Sequence, residues 1–245
     1  MMISKNQVKY IQSLGHKKSR DAENKFVAEG SKIVEELIQA KNCNVAQIYA
    51  LKQWIEHKPG SKHHAEIVEV TEDELKKISQ LATPNQVLAV VEKIKWDNEP
   101  SVKNKISLAL DSIQDPGNMG TIIRIADWFG VENIFCSKDC ADVYNPKVVQ
   151  STMGSITRVR VEYLDLKSWL KENNETRTYA AVLSGRDIAK MDNIKEGIIV
   201  IGNESKGISE EILNLINVQI TIPGKGKAES LNAAVATGII LSHLI

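Results

Sequence analysis

Six short strand-like runs alternating with helical patterns constrain the fold of this chain more than any other feature. The runs are Ile106–Leu110, Asn133–Cys136, Arg158–Val161, Tyr179–Leu183, Ile198–Ile201 and Val218–Ile222. Between and after them, Met119–Phe129, Pro146–Met153, Leu166–Glu172, Ser209–Ile216 and Ser230–Leu244 carry helical spacing. Gly197-Ile-Ile-Val-Ile-Gly202 is almost wholly apolar, the pattern of a strand buried on both faces. The alternation predicts an α/β domain with a parallel sheet covered by helices on both sides.

A second, smaller α/β region precedes it. Lys5–Leu14 reads as a helix ended by Gly15, Phe26–Ala28 as a strand, and Ser31 as the cap of a helix carrying Ile33, Val34, Leu37 and Ile38. Val45–Leu51, Ile67–Val70 and Val87–Ile94 read as strands, and Thr71-Glu-Asp-Glu74 as a capping box. Lys95–Lys105 holds little that could pack. The expected division is therefore residues 1–96, a linker at 97–105, and a second domain at 106–245.

Bulk properties remove several classes of function. With 31 basic and 31 acidic residues, net charge alone predicts no polyanionic partner. Lys5, Lys9, Lys17, Lys18 and Arg20 form a local basic run, for which a solvated helix face is the simplest reading. Cys43, Cys136 and Cys140 are too few for a disulfide framework and read as reduced thiols. His16, His57, His63, His64 and His243 form no zinc-hydrolase pattern, so no metal is expected. The N-terminus has charge but no apolar core region, so no signal peptide is expected. The apolar run Leu231–Ile245 is shorter than the ~20 residues of a membrane span, so it reads as a buried helix.

Three polar clusters fall where strands give way to helices, the edge at which open α/β sheets collect ligands. They are Asn118-Met-Gly-Thr-Ile-Ile-Arg124, Gly202-Asn-Glu-Ser-Lys-Gly207 and Glu229-Ser-Leu-Asn232. Taken singly, each has a structural reading: a capped helix with an exposed arginine, a carboxylate receiving turn N–H groups, and caps at Ser230 and Asn232. Taken together, they describe a site, with Arg124 the natural partner of Glu204 if the loops converge. Pro223-Gly-Lys-Gly-Lys227 is a flexible cationic loop without the nucleoside-triphosphatase phosphate pattern.

The ordered motifs DSIQDPGNMGTIIRIADWFG (Asp111–Gly130), IVIGNESKGIS (Ile199–Ser209) and ITIPGKGKAESLNAAVATGIIL (Ile220–Leu241), with MGSITRVRV (Met153–Val161), resemble the SpoU (TrmH) branch of the SPOUT RNA methyltransferases. FVAEGSKIVEEL and TPNQVLAVVEK resemble the RNA substrate-binding domain often fused to it, with Gln86 standing where that family usually has glycine. The resemblance implies a C-terminal parallel-sheet domain with a trefoil knot and methyl transfer from S-adenosyl-L-methionine to a ribose 2′-hydroxyl of RNA. It implies a homodimer with its active site at the subunit interface; the cytoplasmic location expected for the chain comes from its reduced thiols.

It places Arg124, Asn118, Glu204, Ser230 and Asn232 in catalysis, and Leu183, Gly202, Asn203, Ile222 and Leu231 against the cofactor. RNA contacts are expected from Lys17, Lys18, Arg20, Lys225 and Lys227. Ribosomal RNA is favoured over transfer RNA because of the appended N-terminal domain. The alternatives are a transfer-RNA ribose methyltransferase, a base methyltransferase, a non-catalytic RNA-binding relative, and an enzyme acting on a small nucleotide or phosphate.

Overall fold

A computed structural model describes residues 3–57 and 65–245. His63 and His64 lie outside the described residues. In chain order the elements are α1 (Lys5–Ser13), α2 (Lys17–Glu23), β1 (Lys25–Glu29), α3 (Ser31–Gln39), β2 (Val45–Ala50), α4 (Lys52–His57), β3 (Glu66–Glu69), α5 (Glu72–Ile78) and β4 (Val87–Glu92). Then follow β5 (Ile106–Asp111), α6 (Pro116–Trp128), β6 (Asn133–Ser137), α7 (Pro146–Thr152), β7 (Arg160–Leu164), α8 (Leu166–Glu172), β8 (Thr178–Asp187), β9 (Gly197–Gly202), α9 (Glu210–Leu213), β10 (Val218–Thr221) and α10 (Ala233–Leu244). They form two units: Met1–Asp97 with Asp142–Thr157, and Asn98–Ala141 with Arg158–Ile245.

The first unit is a four-stranded sheet in the order β1-β4-β2-β3, with β2 and β3 parallel and the other pairs antiparallel. Strand periodicity explains its two faces. Val27, Leu88, Val90 and Tyr49 share a core with Ile11, Leu14, Leu75 and Ile78 from the α1 and α5 regions. Phe26, of opposite parity to Val27, stacks obliquely on Tyr144 at 4.8 Å between ring centres, and α3 and α7 pack against β1. The Thr71–Glu74 capping box forms as read. Ser31, by contrast, is the first helical residue rather than the cap. Gly30 caps α3 at φ +97, a conformation that glycine adopts without steric cost, and its carbonyl accepts from Val34. Helix α4 has no counterpart in the sequence reading, and α2, part of the run read as a solvated helix face, buries Arg20.

The second unit is a six-stranded, all-parallel sheet in the order β10-β8-β9-β5-β6-β7. Its central strands are buried on both faces. Ala109, Phe135, Ala180, Ile198 and Val200 pack with Leu166 and Leu170 of α8 and with Ile208 and Ile212 around α9. Leu108, Leu110, Ile134, Ile199 and Ile201, of opposite parity, are equally buried, and α10 packs on β9 and α6. The stretch read as a linker is not wholly unpacked, because Val102 belongs to this core. The final helix starts later than its apolar pattern suggested: Asn232 caps it, which leaves Ser230 in the preceding loop. Among the described residues no helix is long and apolar enough to cross a membrane.

Candidate active site

The parallel sheet sends the C-terminal ends of β5 and β9 to one edge, with Asp111 paired opposite Gly202. Helix α6 starts just beyond β5. Asp115 caps it and accepts from the Asn118 amide at 2.8 Å, while Pro116 at the first turn supplies a pre-set φ and has no N–H to satisfy. Asn118 thus sits in the first turn of α6, facing the loops that follow β9 and β10.

One hydrogen-bonded chain joins all three polar clusters. Asn232 Nδ2 donates to Asn118 Oδ1 at 2.8 Å, and Asn118 Nδ2 donates to Glu204 Oε1 at 2.7 Å. The helix cap fixes the direction of this chain. Asn232 Oδ1 accepts from the amides of Ala234 and Val235 at 3.0 and 3.2 Å, so its NH2 must point outward. That presents a donor to Asn118 Oδ1, which in turn aims the Asn118 NH2 at the carboxylate. Glu204 is exposed, and its second oxygen remains available at the rim.

The loop carrying Glu204 is closed from beneath. Asn203 Oδ1 accepts from the amides of Ser205 and Lys206, Asn203 Nδ2 donates to the Ser112 carbonyl at 2.7 Å, and Asn203 and Gly207 exchange backbone hydrogen bonds. Gly202 is needed because a Cβ there would meet the Gly207 carbonyl carbon and the Ile208 nitrogen at 2.4 Å. The Ser209 amide donates to Asp111 Oδ2 at 2.8 Å and ties the far end of the loop to β5.

Arg124 departs from expectation. Glu204 is bonded to Asn118, and Arg124 is exposed, with no hydrogen bond or ion pair among the described residues. Helical geometry gives the reason: six residues on from Asn118, it lies about 9 Å along the axis and roughly 120° around it. It shares an exposed face with Trp128, one turn further, which is 85% exposed.

Arg20 is a correction. It is 2% exposed, and its guanidinium donates to Asp142 Oδ2 through Nε and Nη2 and to the carbonyls of Leu14 and Gly15. Buried, with four of its five N–H groups engaged, this guanidinium is not open to a phosphate. Lys17, Lys18, Lys225 and Lys227 are all exposed.

Of the residues expected at the cofactor, Gly202 and Asn203 lie at the end of β9, and Leu183, Ile222 and Leu231 lie on or after β8 and β10. Their pairing breaks register between Gln219 and Ile220, and residues 181–185 leave the ladder there. The Thr221 hydroxyl donates to the Leu183 carbonyl at 3.1 Å. Leu183 and Leu231 expose their apolar side chains, unusual for leucine, and Ile222 is half-buried. Ser230 is exposed and forms no hydrogen bond among the described residues, whereas Asn232 holds both a cap and the polar chain. Sequence reasoning missed Asp115, Asp111 and Ser112. The Asp115-Pro116 pair was a readable cap signal, but nothing local marks the long-range roles of Asp111 and Ser112.

Cys43, Cys136 and Cys140 are free thiols. Burial pushes Cys43 up to about 11 and Cys136 well above the ordinary thiol range, while a hydrogen bond from Cys136 lowers Cys140. Among the described residues no cluster of three His, Cys, Asp or Glu side chains could hold a metal ion.

Residues 105–242 match the SpoU rRNA Methylase family, and residues 5–89 match the MRM3-like substrate binding domain. Bacillus subtilis 23S rRNA (guanosine(2553)-2′-O)-methyltransferase RlmP is 29% identical over 245 residues, covering 98% of this chain and 97% of its own. A structure from Porphyromonas gingivalis assigned to the TrmH family of RNA methyltransferases superposes with a TM-score of 0.87 at 36% identity, over 100% of this chain and 98% of that one. The AdoMet-bound rRNA methyltransferase from Sinorhizobium meliloti gives 0.86 at 28% identity, over 100% and 96%. With its strand-end loops, its parallel sheet and more than half its length matched in this way, the chain belongs to the SpoU rRNA methylase family.

Proposed function

We propose that this protein transfers a methyl group from S-adenosyl-L-methionine to a ribose 2′-hydroxyl of RNA, with ribosomal RNA as the substrate class. The observation that carries the reading is the Asn232–Asn118–Glu204 chain, which gathers three distant motifs at the C-terminal edge of a parallel sheet. Full-length similarity to RlmP supports the choice of ribosomal RNA.

The residues around β8 and β10 suit the cofactor. Leu183, Leu231 and Ile222 offer apolar surface for a purine, and the break in β8–β10 pairing frees main-chain groups for its polar edges. Gly202 and Asn203 would line the same crevice. When bound, the cofactor supplies a sulfonium methyl that is already electrophilic. The protein's task is then to align the hydroxyl oxygen, exclude bulk water and favour loss of the hydroxyl proton to an RNA phosphate oxygen, from which it passes to solvent.

Arg124, without a partner among the described residues, holds the RNA phosphate and stabilises the developing alkoxide. A guanidinium with a pKa above ~12 suits charge stabilisation better than proton abstraction. Asn118 fixes the Glu204 carboxylate, which orients the ribose, and Asn232 fixes Asn118. Ser230, unbonded in the loop, is left to contact substrate. Lys17, Lys18, Lys225 and Lys227 are the phosphate-binding lysines of this reading.

Threading of the C-terminal segment into a trefoil knot is part of the proposal. Close backbone passage supports it: a Cβ on Gly185 would lie 2.7 Å from the Gln219 carbonyl carbon. Homodimerisation is also proposed. Trp128 on α6 and Val235 on α10 are exposed apolar side chains on helices that pack together, and Trp128 shares its face with Arg124. A second subunit seated there would enclose the arginine.

The test is incubation with RNA and methyl-labelled cofactor, followed by mapping of the label. The expected result is a mark on a ribose 2′-oxygen of ribosomal RNA that requires the protein. Label confined to bases, or none transferred to any RNA, would overturn the assignment.

A further inference from the structure

Ser112 is one of the few non-glycine residues with positive φ, at 59°, immediately after β5. A left-handed backbone at a residue bearing a Cβ costs about 1–2 kcal/mol. Glycine would avoid that cost, so the side chain must serve the position. Every polar group of Ser112 has a partner. Its amide donates to Ser137 Oγ at 2.8 Å, its hydroxyl to Asp139 Oδ2 at 2.6 Å, and its carbonyl accepts from Asn203 Nδ2 at 2.7 Å. A longer contact at 3.3 Å joins the hydroxyl to Asp111 Oδ1. Ser137 Oγ in turn donates to the second Asp139 oxygen at 2.6 Å.

Asp139 therefore grips both hydroxyls that hold Ser112 in its strained conformation. The Ser112 carbonyl it orients is the anchor of Asn203. Asn203 closes the turn that aims Glu204 at Asn118. We propose that Asp139, in the turn just after β6, is a positioning residue for methyl transfer: acting through Ser112, it sets the height of the Asn203–Gly207 loop and hence the aim of Glu204.

The carboxylate is well suited to this. Hydrogen bonds from Ser112 and then Ser137 hold it below the usual aspartate range, with the Lys206 charge adding to the effect. It stays an acceptor for both hydroxyls throughout the neutral range. Asp139 itself is exposed and reaches neither the polar chain nor the proposed cofactor surface by any hydrogen bond among the described residues. Its influence passes through two serines.

This inference rests on the methyl-transfer reading, and the test separates the two. Single-turnover transfer to RNA is measured at saturating cofactor and RNA for wild type, Asp139→Ala, Asp139→Asn, Ser112→Gly and the Ala/Gly double variant, alongside melting midpoints. If wild type transfers nothing, the functional assignment fails and not merely this one. With wild type active, Asp139→Ala is expected to slow transfer about fivefold, the scale of one net hydrogen bond. Asp139→Asn, which still accepts from a serine hydroxyl, should restore the rate to within twofold.

Ser112→Gly should relieve the backbone and hold or raise the melting midpoint, yet slow transfer as Asp139→Ala does. The double variant should be no slower than either single one, because both remove the same tie. An unchanged rate in Asp139→Ala, an Asp139→Asn variant as slow as alanine, or additive losses in the double variant would each overturn the proposal.

Discussion

Arg20 and Arg124 are both helical arginines, one on α2 between Ser19 and Asp21 and one on α6 between Ile123 and Ile125, and the fold treats them in opposite ways. In the first unit Arg20 is enclosed by Asp142 and two carbonyls. In the second, Arg124 stands exposed on α6 with no internal partner among the described residues. The buried guanidinium satisfies its donors inside the fold and ties α2 to residue 142, 122 positions away. The exposed one donates to no group among the described residues. The contrast separates an arginine that builds structure from one available for chemistry, and charge alone cannot make that distinction.

The two regions should respond in opposite ways. The largest stability effect is expected at Arg20→Ala, which leaves Asp142 half of a broken, largely buried pair and should cost about 3–5 kcal/mol. Denaturant unfolding measures this, and a loss under 1 kcal/mol would mean that the pair is no more than a surface contact. Asn232 sharpens the comparison within the second unit. Asn232→Asp keeps the helix cap, so melting should barely move. It cannot donate to Asn118, however, and it places a second carboxylate near Glu204, so transfer should fall by about tenfold or more, the cost of a group left unpaired. Asn232→Ala should lose both, with about 1 kcal/mol of stability gone along with the cap. Equal rates for the aspartate variant and wild type would remove the polar chain from the mechanism.

The smallest effect is expected at the cationic loop. Replacing Lys225 and Lys227 together should lower the slope of log affinity against log salt by about 0.7 for each lost contact to single-stranded RNA. Arg20→Ala should leave that slope unchanged in whatever fraction remains folded. A changed slope at Arg20 and none at the lysines would invert the comparison.

Much of this was legible in the chain. Strands buried on both faces need continuous apolar runs, so β5 and β9 were visible as such, and the Thr71 capping box was written in four adjacent residues. The strand-end polar clusters were legible as a group, and the structure joins them at one edge of the sheet. What local sequence could not give were pairings across the fold. Asn118 rather than Arg124 binds Glu204, because helical rotation, which spacing alone leaves free until the start of α6 is known, turns Arg124 away. The burial of Arg20 depends on Asp142, which no window around residue 20 contains. Nothing local marks Ser112, since its strain and its bonds to residues 137, 139 and 203 exist only once three strands lie side by side.

In the proposed mechanism Arg124, without a partner among the described residues, stabilises the developing charge, and the separate Asn232–Asn118–Glu204 chain provides the frame. Single-turnover methyl transfer by purified Arg124→Ala, with cofactor affinity from calorimetry and a melting curve on the same sample, tests it most directly. Folding and cofactor affinity should match wild type while transfer falls by about 10²–10³, the loss associated with one charge-stabilising donor. Transfer within a few-fold of wild type in a folded, cofactor-binding variant would contradict it.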